Sequence, residues 1–198
     1  MSSVTVATDR PLRADARRNQ ERVLVAAREC FAESGCSAQM EDIAGRAGVG
    51  VGTVYRHFPN KEAVIQTLVD EYFADLGSRA QAALEIEDPW EAFASYIWGA
   101  ADLLGANRGL GEVTAGGQMR EAAERSPFFD AVGELIARAQ RAGVMRADVT
   151  IEDVPMIMCS LGRVQQLDAG MAASSWRRHL AIMLDGLRIG ERSPLPQS

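Results

Sequence analysis

The side chains best suited to chemistry in this 198-residue chain form one short run of hydrogen-bond donors. The run contains Thr53, Tyr55, Arg56, His57 and Lys61. Hydroxyl, imidazole and ammonium groups can each donate a hydrogen bond to a phosphate oxygen. A guanidinium can also make a bidentate contact with guanine, which is worth about 1–3 kcal/mol of discrimination between bases. The run therefore predicts a surface that binds nucleic acid, with Arg56 as the side chain that reads a base.

Two short helices joined by a glycine-containing turn are expected to position these donors. Helical periodicity predicts one helix over about 39–47 and a second over about 51–57. Residues 48–50, Gly-Val-Gly, make the turn between them. Pro59 ends the second helix, because the residue before a proline avoids the helical region. This is the outline of a helix-turn-helix, whose second helix enters the DNA major groove.

The second helix also needs small residues at its N-terminal end, where it would meet the bases, and a rigid hydrophobic support. Val51 and Gly52 lie at its start and let the backbone approach the bases, and Val51 can contact a thymine methyl group. Val54 and Phe58 face the opposite way, toward a three-helix core. A structural helical hairpin is the alternative interpretation of the helix-turn-helix pattern taken alone.

The rest of the chain also has helical periodicity, and no segment alternates with the period of a strand. Asn60 caps a long helix 4 that runs to about Leu84. The glycine-rich stretch 105–117 is expected to be a loop or a short irregular helix. Further helices are predicted over about 16–33, 90–104, 126–143, from near 150 to 168, and 174–189. The fold class is therefore all-α, with an N-terminal three-helix head joined through helix 4 to a C-terminal helical domain.

These patterns divide the chain into four segments. They are a disordered arm (1–15), a helix-turn-helix DNA-binding domain (16–62, with the motif at about 39–58), a C-terminal domain (63–192) and a tail (193–198). Residues 1–61 hold nine of the 21 basic and seven of the 27 acidic side chains, so they carry +2 and the remainder carries −8. A basic head on an acidic body is typical of a DNA-binding protein, although a solvated helix face would give the same balance.

Other classes of function find little support. Cys30, Cys36 and Cys159 have no paired spacing and only two histidines accompany them, so neither a disulfide framework nor a metal site is expected. No glycine-rich phosphate loop or nucleophile motif indicates an enzyme. No apolar run approaches the roughly 18–20 residues that span a bilayer, and the first residues lack the apolar centre of a secretory signal. We expect a cytoplasmic protein without a cofactor.

The run 42–62 resembles, nearly residue for residue, the DNA-binding motif of the TetR family of bacterial transcriptional regulators. It contains the pattern Tyr-x-His-Phe-Pro-x-Lys-Glu at positions 55–62. The resemblance implies that one set of side chains holds the DNA backbone, namely Thr53, Tyr55, His57 and Lys61. It implies that a second set faces the bases, namely Val51, Gly52 and Arg56.

Two features at helices 1 and 2 add to this expectation. Many family members open helix 2 with a threonine that contacts phosphate; here Gln39 stands nearby, and Ser37 is expected to substitute. Arg13, Arg17 and Arg18 just before helix 1 form a candidate arm that enters the minor groove or touches phosphates. A terminus that only aids solubility is the alternative.

The resemblance further implies a homodimer that binds a double-stranded DNA operator and an apolar small-molecule effector. Helices at about 151–168 and 174–189 would form a four-helix bundle with their copies. The dimer seam would comprise Leu161, Val164, Leu180, Met183, Leu184 and Leu187. The wall of the ligand cavity would comprise Trp90, Phe93, Tyr96, Trp98, Met119, Phe128, Phe129, Met156 and Cys159. An ordinary intrachain core is the competing interpretation for each of these residues.

The expected function is therefore that of a DNA-binding transcriptional regulator, a homodimeric repressor released from its operator by a hydrophobic ligand. Ligand binding in the body would move helix 4 and separate the two recognition helices from successive major grooves. Two alternatives stay open. One is a redox-sensing regulator switched by Cys30 or Cys36. The other is a DNA-binding activator without a small-molecule ligand.

Overall fold

The computed structural model describes residues 9–114, 118–167 and 175–190, and for residues 9–14 and 167 it describes the backbone alone. The first eight residues of the predicted arm and the predicted tail lie outside this part of the chain. Within it the structure is all-α, as predicted: ten α-helices, one 3-10 turn (Gly35–Ser37) and no strand. No helix in the described ranges is long and apolar enough to cross a membrane.

The helices follow one another along the chain in the following order. They are α1 (Asp9–Ser34), α2 (Met40–Ala47), α3 (Val51–His57), α4 (Lys61–Leu84), α5 (Pro89–Ala106), α6 (Leu110–Val113), α7 (Gln118–Arg125), α8 (Phe128–Arg141), α9 (Asp153–Leu167) and α10 (Ser175–Leu187). Helix α3 has the bounds that the sequence predicts, and α6 is the short helix expected within the glycine-rich stretch.

The start of two helices and the presence of a third differ most from the sequence prediction. Helix α1 already includes Asp9, the first described residue, so it extends further toward the N-terminus than the predicted start at about residue 16. Helix α9 begins at Asp153, whose carboxylate accepts a hydrogen bond from the Thr150 N–H at 2.8 Å. Helix α7 was not predicted, because its only buried residues are two alanines and it carries no long apolar stripe.

The chain forms two compact units, and the first comprises residues 1–69 together with 109–115. In this unit α1 packs against α2 and α3, and α2 packs against α3. Its core consists of apolar side chains from four helices: Val23, Ala27, Phe31, Ile43, Ala44, Val54, Phe58, Val64 and Leu68. This is the three-helix head predicted from the sequence, extended by the first turns of α4 and by α6.

Helix α6 belongs to the first unit because its backbone approaches α1 closely. A Cβ atom placed on Gly109 would lie 2.4 Å from the backbone nitrogen of Ala32 and 2.6 Å from the carbonyl oxygen of Phe31. Only glycine allows this approach, since backbone atoms cannot move aside as a flexible side chain can. Leu110 and Val113 then bury their side chains in the first unit.

The second unit comprises residues 70–108 and 116–198. In it α5 packs against α8 and α9, and α9 packs against α10. The Arg138 guanidinium donates hydrogen bonds of 2.6–2.7 Å to the carbonyl oxygens of Leu84, Ile86 and Glu87, which lie at and after the end of α4. These bonds satisfy carbonyl groups that have no partner within the helix. The core includes Phe93, Ile97, Val132, Leu135, Leu161 and Leu180.

The close approach at Gly109 gives a stability prediction. Gly109→Ala should lower the free energy of unfolding by about 1–3 kcal/mol, because the new methyl group overlaps the α1 backbone. Gly111→Ala is the matched control, since a Cβ there meets nothing within 4 Å and alanine favours the helix. Urea unfolding of the two variants and the parent chain measures both effects. Equal midpoints for the two variants would show that α6 does not lie against α1.

Candidate nucleic-acid interface

Helix α2 is held against α1 by one bidentate ion pair. The Arg46 guanidinium donates to both carboxylate oxygens of Glu33 at 2.6 Å, and it lies 3.6 Å from Glu29. The hydrogen bond from Arg46 keeps the pKa of Glu33 below its usual value. The positive charge of Arg46 is therefore matched within the head, and this arginine supports α2 rather than supplying a free cation for DNA.

The turn between α2 and α3 depends on Gly48. This residue has a φ of 63°, a left-handed conformation that glycine adopts without strain, and it ends α2. A Cβ atom at Gly48 would also lie 2.9 Å from an Arg22 side-chain nitrogen, which donates to the Gly48 carbonyl oxygen at 3.3 Å. The turn thus needs glycine for its backbone angle, whereas the flexible Arg22 side chain could move aside for a Cβ atom.

Helix α3 presents two different faces. Val54 and Phe58 are buried and attach the helix to the head, as predicted. Tyr55 is 45% exposed, and Val51 is exposed as well. Gly52 and Arg56 are also exposed. Thr53, His57 and Lys61 are half-buried. The predicted contact residues therefore lie on the accessible side of α3 or beside it.

Two properties suit α3 for close contact with another molecule. A Cβ atom at Gly52 would meet nothing within 4 Å, so this side of the helix is open space. The Arg56 side chain makes no ion pair and no hydrogen bond with the described part of the chain. A long cation without an internal partner can reach a base edge without first breaking a bond.

Lys61 has a structural role that the sequence analysis missed. Its Nζ donates to the Cys36 carbonyl oxygen at 2.6 Å and lies 5.8 Å from the centre of the Phe31 ring. Cys36 belongs to the 3-10 turn that follows α1, so the ammonium group connects the start of α4 to the end of α1. An ammonium has three protons, and this bond uses one of them. The others stay available to a phosphate.

The phosphate contact that Ser37 was expected to make in place of the helix 2 threonine is not supported by the hydrogen bonds of the structure. The Ser37 hydroxyl donates to the Ser34 carbonyl oxygen at 2.7 Å, which uses its only hydrogen. Gln39 caps α2 differently from a threonine: its backbone N–H donates to the Asp42 carboxylate at 2.9 Å and its side-chain amide donates to the Ser37 carbonyl at 2.8 Å. The Ser37 hydroxyl therefore has no hydrogen left for a phosphate, whereas the Gln39 amide has a second N–H without a partner in the described part of the chain.

The basic arm lies in a helix rather than before one. Arg13, Arg17 and Arg18 all fall within α1, because the helix begins at Asp9. Arg17 lies 3.5 Å from Glu21, and Arg18 pairs with Asp15. The side chain of Arg13 is outside the described set. Exposed pairs of this kind contribute little to stability, so they do not hold the arginines away from DNA.

The residues predicted to line a ligand cavity fall into three groups. Buried members are Phe93, Tyr96 and Phe128; half-buried members are Trp90, Trp98, Met119 and Phe129; exposed members are Met156 and Cys159. Several of the aromatic rings are in contact, with Phe128 5.8 Å from Phe73 and 5.0 Å from Phe129. The exposed pair therefore lies on the surface of the single chain.

The residues predicted for the dimer seam are also divided. Leu161, Leu180 and Leu184 are buried within their own chain, which is the competing core interpretation. Val164, Met183 and Leu187 are half-buried. The large exposed apolar side chains on the same two helices are Met156, at 70% exposure, and Ile182, at 60%.

The cysteines differ in their surroundings. Cys30 is buried, and burial raises the pKa of its thiol. Cys36 is exposed, and its Sγ lies 3.1 Å from the Glu112 carbonyl oxygen, to which the thiol donates. A buried thiol with a raised pKa is a weak nucleophile, which argues against Cys30 as an oxidant sensor.

Comparison with known proteins supports the interpretation of this geometry. The family model described as "Bacterial regulatory proteins, tetR family" matches residues 23–68. A second model, "Transcriptional regulator SbtR-like, C-terminal domain", matches residues 88–189. The chain is 38% identical over 82 residues to the HTH-type transcriptional regulator SAR0097 of Staphylococcus aureus, a match covering 40% of this chain and 39% of that protein.

Two solved structures extend the likeness to most of the chain. The TetR transcription regulatory protein from Mycobacterium vanbaalenii is 37% identical, with 90% of this chain and 100% of that chain covered and a TM-score of 0.61. FadR from Bacillus subtilis, solved with stearoyl-CoA, has a TM-score of 0.67 over 84% of this chain and 98% of that chain, but it is only 18% identical and shows the fold alone. From its helix-turn-helix head and its C-terminal helical domain, this chain belongs to the TetR family of transcriptional regulators.

Proposed function

We propose that this regulator is a homodimeric repressor that a hydrophobic small molecule releases from its DNA operator. The observation that carries the DNA-binding surface is the division of α3 into a buried face and an accessible face with hydrogen-bond donors. In the proposed complex Val51, Gly52 and Arg56 face the bases. The phosphates accept hydrogen bonds from Thr53, Tyr55, His57 and Lys61.

Arg56 supplies most of the base discrimination in this proposal. It is the long cationic side chain on the accessible face of α3, and it has no internal partner in the described part of the chain. Its guanidinium fork matches the two acceptors that guanine presents in the major groove. Val51 adds apolar contact with a thymine methyl group, and Gly52 lets the backbone come close.

The proposed dimer uses the surface of α9 and α10. Met156 and Ile182 are large apolar residues that stand mostly exposed on these two helices. The half-buried Val164, Met183 and Leu187 lie on the same helices and extend the apolar surface. A two-fold dimer would present two copies of α3 to half-sites one helical turn apart or a multiple of it.

Release requires the ligand to prefer the conformation that does not bind DNA. To weaken operator binding about 100-fold, the ligand must favour the released conformation by roughly 2.8 kcal/mol. Helix α4 is the proposed moving element, because it is continuous from Lys61 in its first turn to Leu84. The apolar body of the second unit, with Phe93 and Phe128 in its core, supports a hydrophobic effector.

Selection of random duplexes by the purified protein tests the dimeric operator-binding model. We expect the selected sites to be palindromic, with half-site centres separated by about 10 base pairs or a multiple, because two α3 helices related by two-fold symmetry read successive grooves. Selected sites without symmetry would contradict the homodimer. Absence of any enriched sequence would contradict specific DNA recognition itself.

Arg56→Ala tests base reading. The variant should lose about 1–3 kcal/mol of discrimination at one position in each half-site while it keeps its affinity for scrambled DNA. Titration against the selected site and against single-base variants of that site gives both quantities. Arg141→Ala is the control, since Arg141 is an exposed arginine on α8, which is part of neither the head nor the proposed dimer surface. Unchanged discrimination in Arg56→Ala would remove Arg56 from the base-reading set.

Lys61→Met tests the double role of the ammonium group. The variant should bind all sequences more weakly and flatten the dependence of log affinity on log salt by roughly one unit per half-site. It should also be less stable in urea, because the Cys36 carbonyl loses its partner. Lys61→Arg is the control that keeps the charge. A stability loss without any change in the salt slope would assign Lys61 a structural role only.

A further inference from the structure

Two tyrosines in the second unit have hydroxyl groups without hydrogen-bond partners. Tyr72 lies on α4 and is 8% exposed, and Tyr96 lies on α5 and is 2% exposed. Neither phenol donates or accepts a hydrogen bond within the described part of the chain, whereas the nearby Ser95 hydroxyl donates to the Ala92 carbonyl. A buried hydroxyl without a partner costs free energy, so this pair needs an explanation.

The two hydroxyls are not sealed in the protein interior. Among the described residues, every side-chain oxygen or nitrogen that is fully cut off from water has a hydrogen-bond partner. Since these phenol oxygens have none, each must reach space that a water molecule can enter. The two tyrosines are therefore nearly buried side chains whose polar ends face accessible space.

Both phenols have a pKa above the ordinary value of a tyrosine. Burial raises the pKa of Tyr72 to about 12, and the neighbouring Cys159 thiol adds to this effect. Burial also raises the pKa of Tyr96 well above its ordinary value, and the nearby Tyr72 adds to it. Both groups consequently stay protonated near neutral pH, so each has a hydrogen to donate.

The surroundings of the pair are aromatic. The ring of Tyr72 lies 5.3 Å from that of Phe73, in an edge-on arrangement, and Phe73 in turn lies 5.8 Å from Phe128. Phe93, one turn before Tyr96 on α5, is fully buried. Two donors in an apolar environment are typical of a ligand site, in which a few polar groups fix the orientation of a mostly apolar molecule.

We propose that the hydroxyls of Tyr72 and Tyr96 hold the effector by donating hydrogen bonds to one of its oxygen atoms, and that the effector is an uncharged apolar molecule with a carbonyl group. This inference rests on the proposed ligand control and names the chemistry of the ligand. A carbonyl oxygen has two lone pairs and can accept from both phenols at once. The apolar remainder of the molecule would lie against the aromatic side chains.

The donors of the proposed site are neutral hydroxyls, which favours a neutral ligand over a carboxylate. The Arg79 side chain, whose Nη1 lies 3.4 Å from the Cβ position of Gly99 one turn after Tyr96, is itself exposed to solvent. A carboxylate bound here would be buried beside neutral donors alone, and burying an ion without a counter-charge is costly. A carbonyl group carries no such cost.

Binding of three small probes of similar shape tests the proposal in the absence of DNA. The probes are 4-phenyl-2-butanone, isopentylbenzene, which lacks the oxygen, and 3-phenylpropanoate, which carries a charge. Calorimetric titration of the full chain should show that the ketone binds about tenfold more tightly than either of the others, the amount expected for two hydrogen bonds near the weak end of their usual net strength. Equal affinities, a preference for the carboxylate, or no binding of the ketone would overturn the proposal.

Removing the hydroxyls should remove this preference. Tyr72→Phe and Tyr96→Phe should each weaken ketone binding several-fold and leave isopentylbenzene binding unchanged, because the aromatic rings stay in place. Ser95→Ala is the matched control on α5, since its hydroxyl already bonds within the helix. If both phenylalanine variants keep the ketone preference, the tyrosines are not the donors. Because no DNA is present, this result is independent of whether the protein represses an operator.

Discussion

The burial of Val54 and Phe58 is the constraint on which the candidate DNA-binding surface depends. Helix α3 has only seven residues, and helices this short are not stable alone in water. Its conformation must therefore come from contacts with the rest of the head. The two buried side chains fix its orientation, and the residues of the opposite face become accessible as a consequence. Base reading and packing are thus assigned to different sides of the same two turns.

The sequence was sufficient for the features that local chemistry determines. Glycine at position 48 ends α2 because it adopts a left-handed conformation without strain, and proline at position 59 follows the end of α3. The Asn60 side chain accepts a hydrogen bond from the Ala63 N–H at 2.8 Å, so the predicted cap of α4 is confirmed. The all-α class and the family follow from the same periodicity and from the motif. The contact residues on α3 stay predictions.

Features that depend on distant partners could not be read from the sequence. Lys61 bonds a carbonyl 25 residues earlier in the chain, and a lysine in a helix's first turn gives no sign of such a partner. Gly109 is one of five glycines in a stretch that reads as a loop, and only the α1 backbone beside it shows why it is glycine. Tyr72 belongs to an apolar stripe on α4, and its place in this helical spacing predicts a packed core residue. The spacing gives no sign that its hydroxyl has no hydrogen-bond partner.

The internal partners of the basic residues bear on how the head could attract DNA. Arg46 is paired with Glu33, Arg22 bonds the Gly48 carbonyl, and Lys61 bonds the Cys36 carbonyl. Few cations are left whose only partners would be phosphates, and the whole chain carries a net charge of −6. Counterion release scales with the number of phosphates neutralised, so these internal partners limit how many cations of the described head can contribute to it. In the proposed dimer, hydroxyl donors, direct base contacts and the pairing of two heads would add to this contribution and would favour specific over non-specific binding.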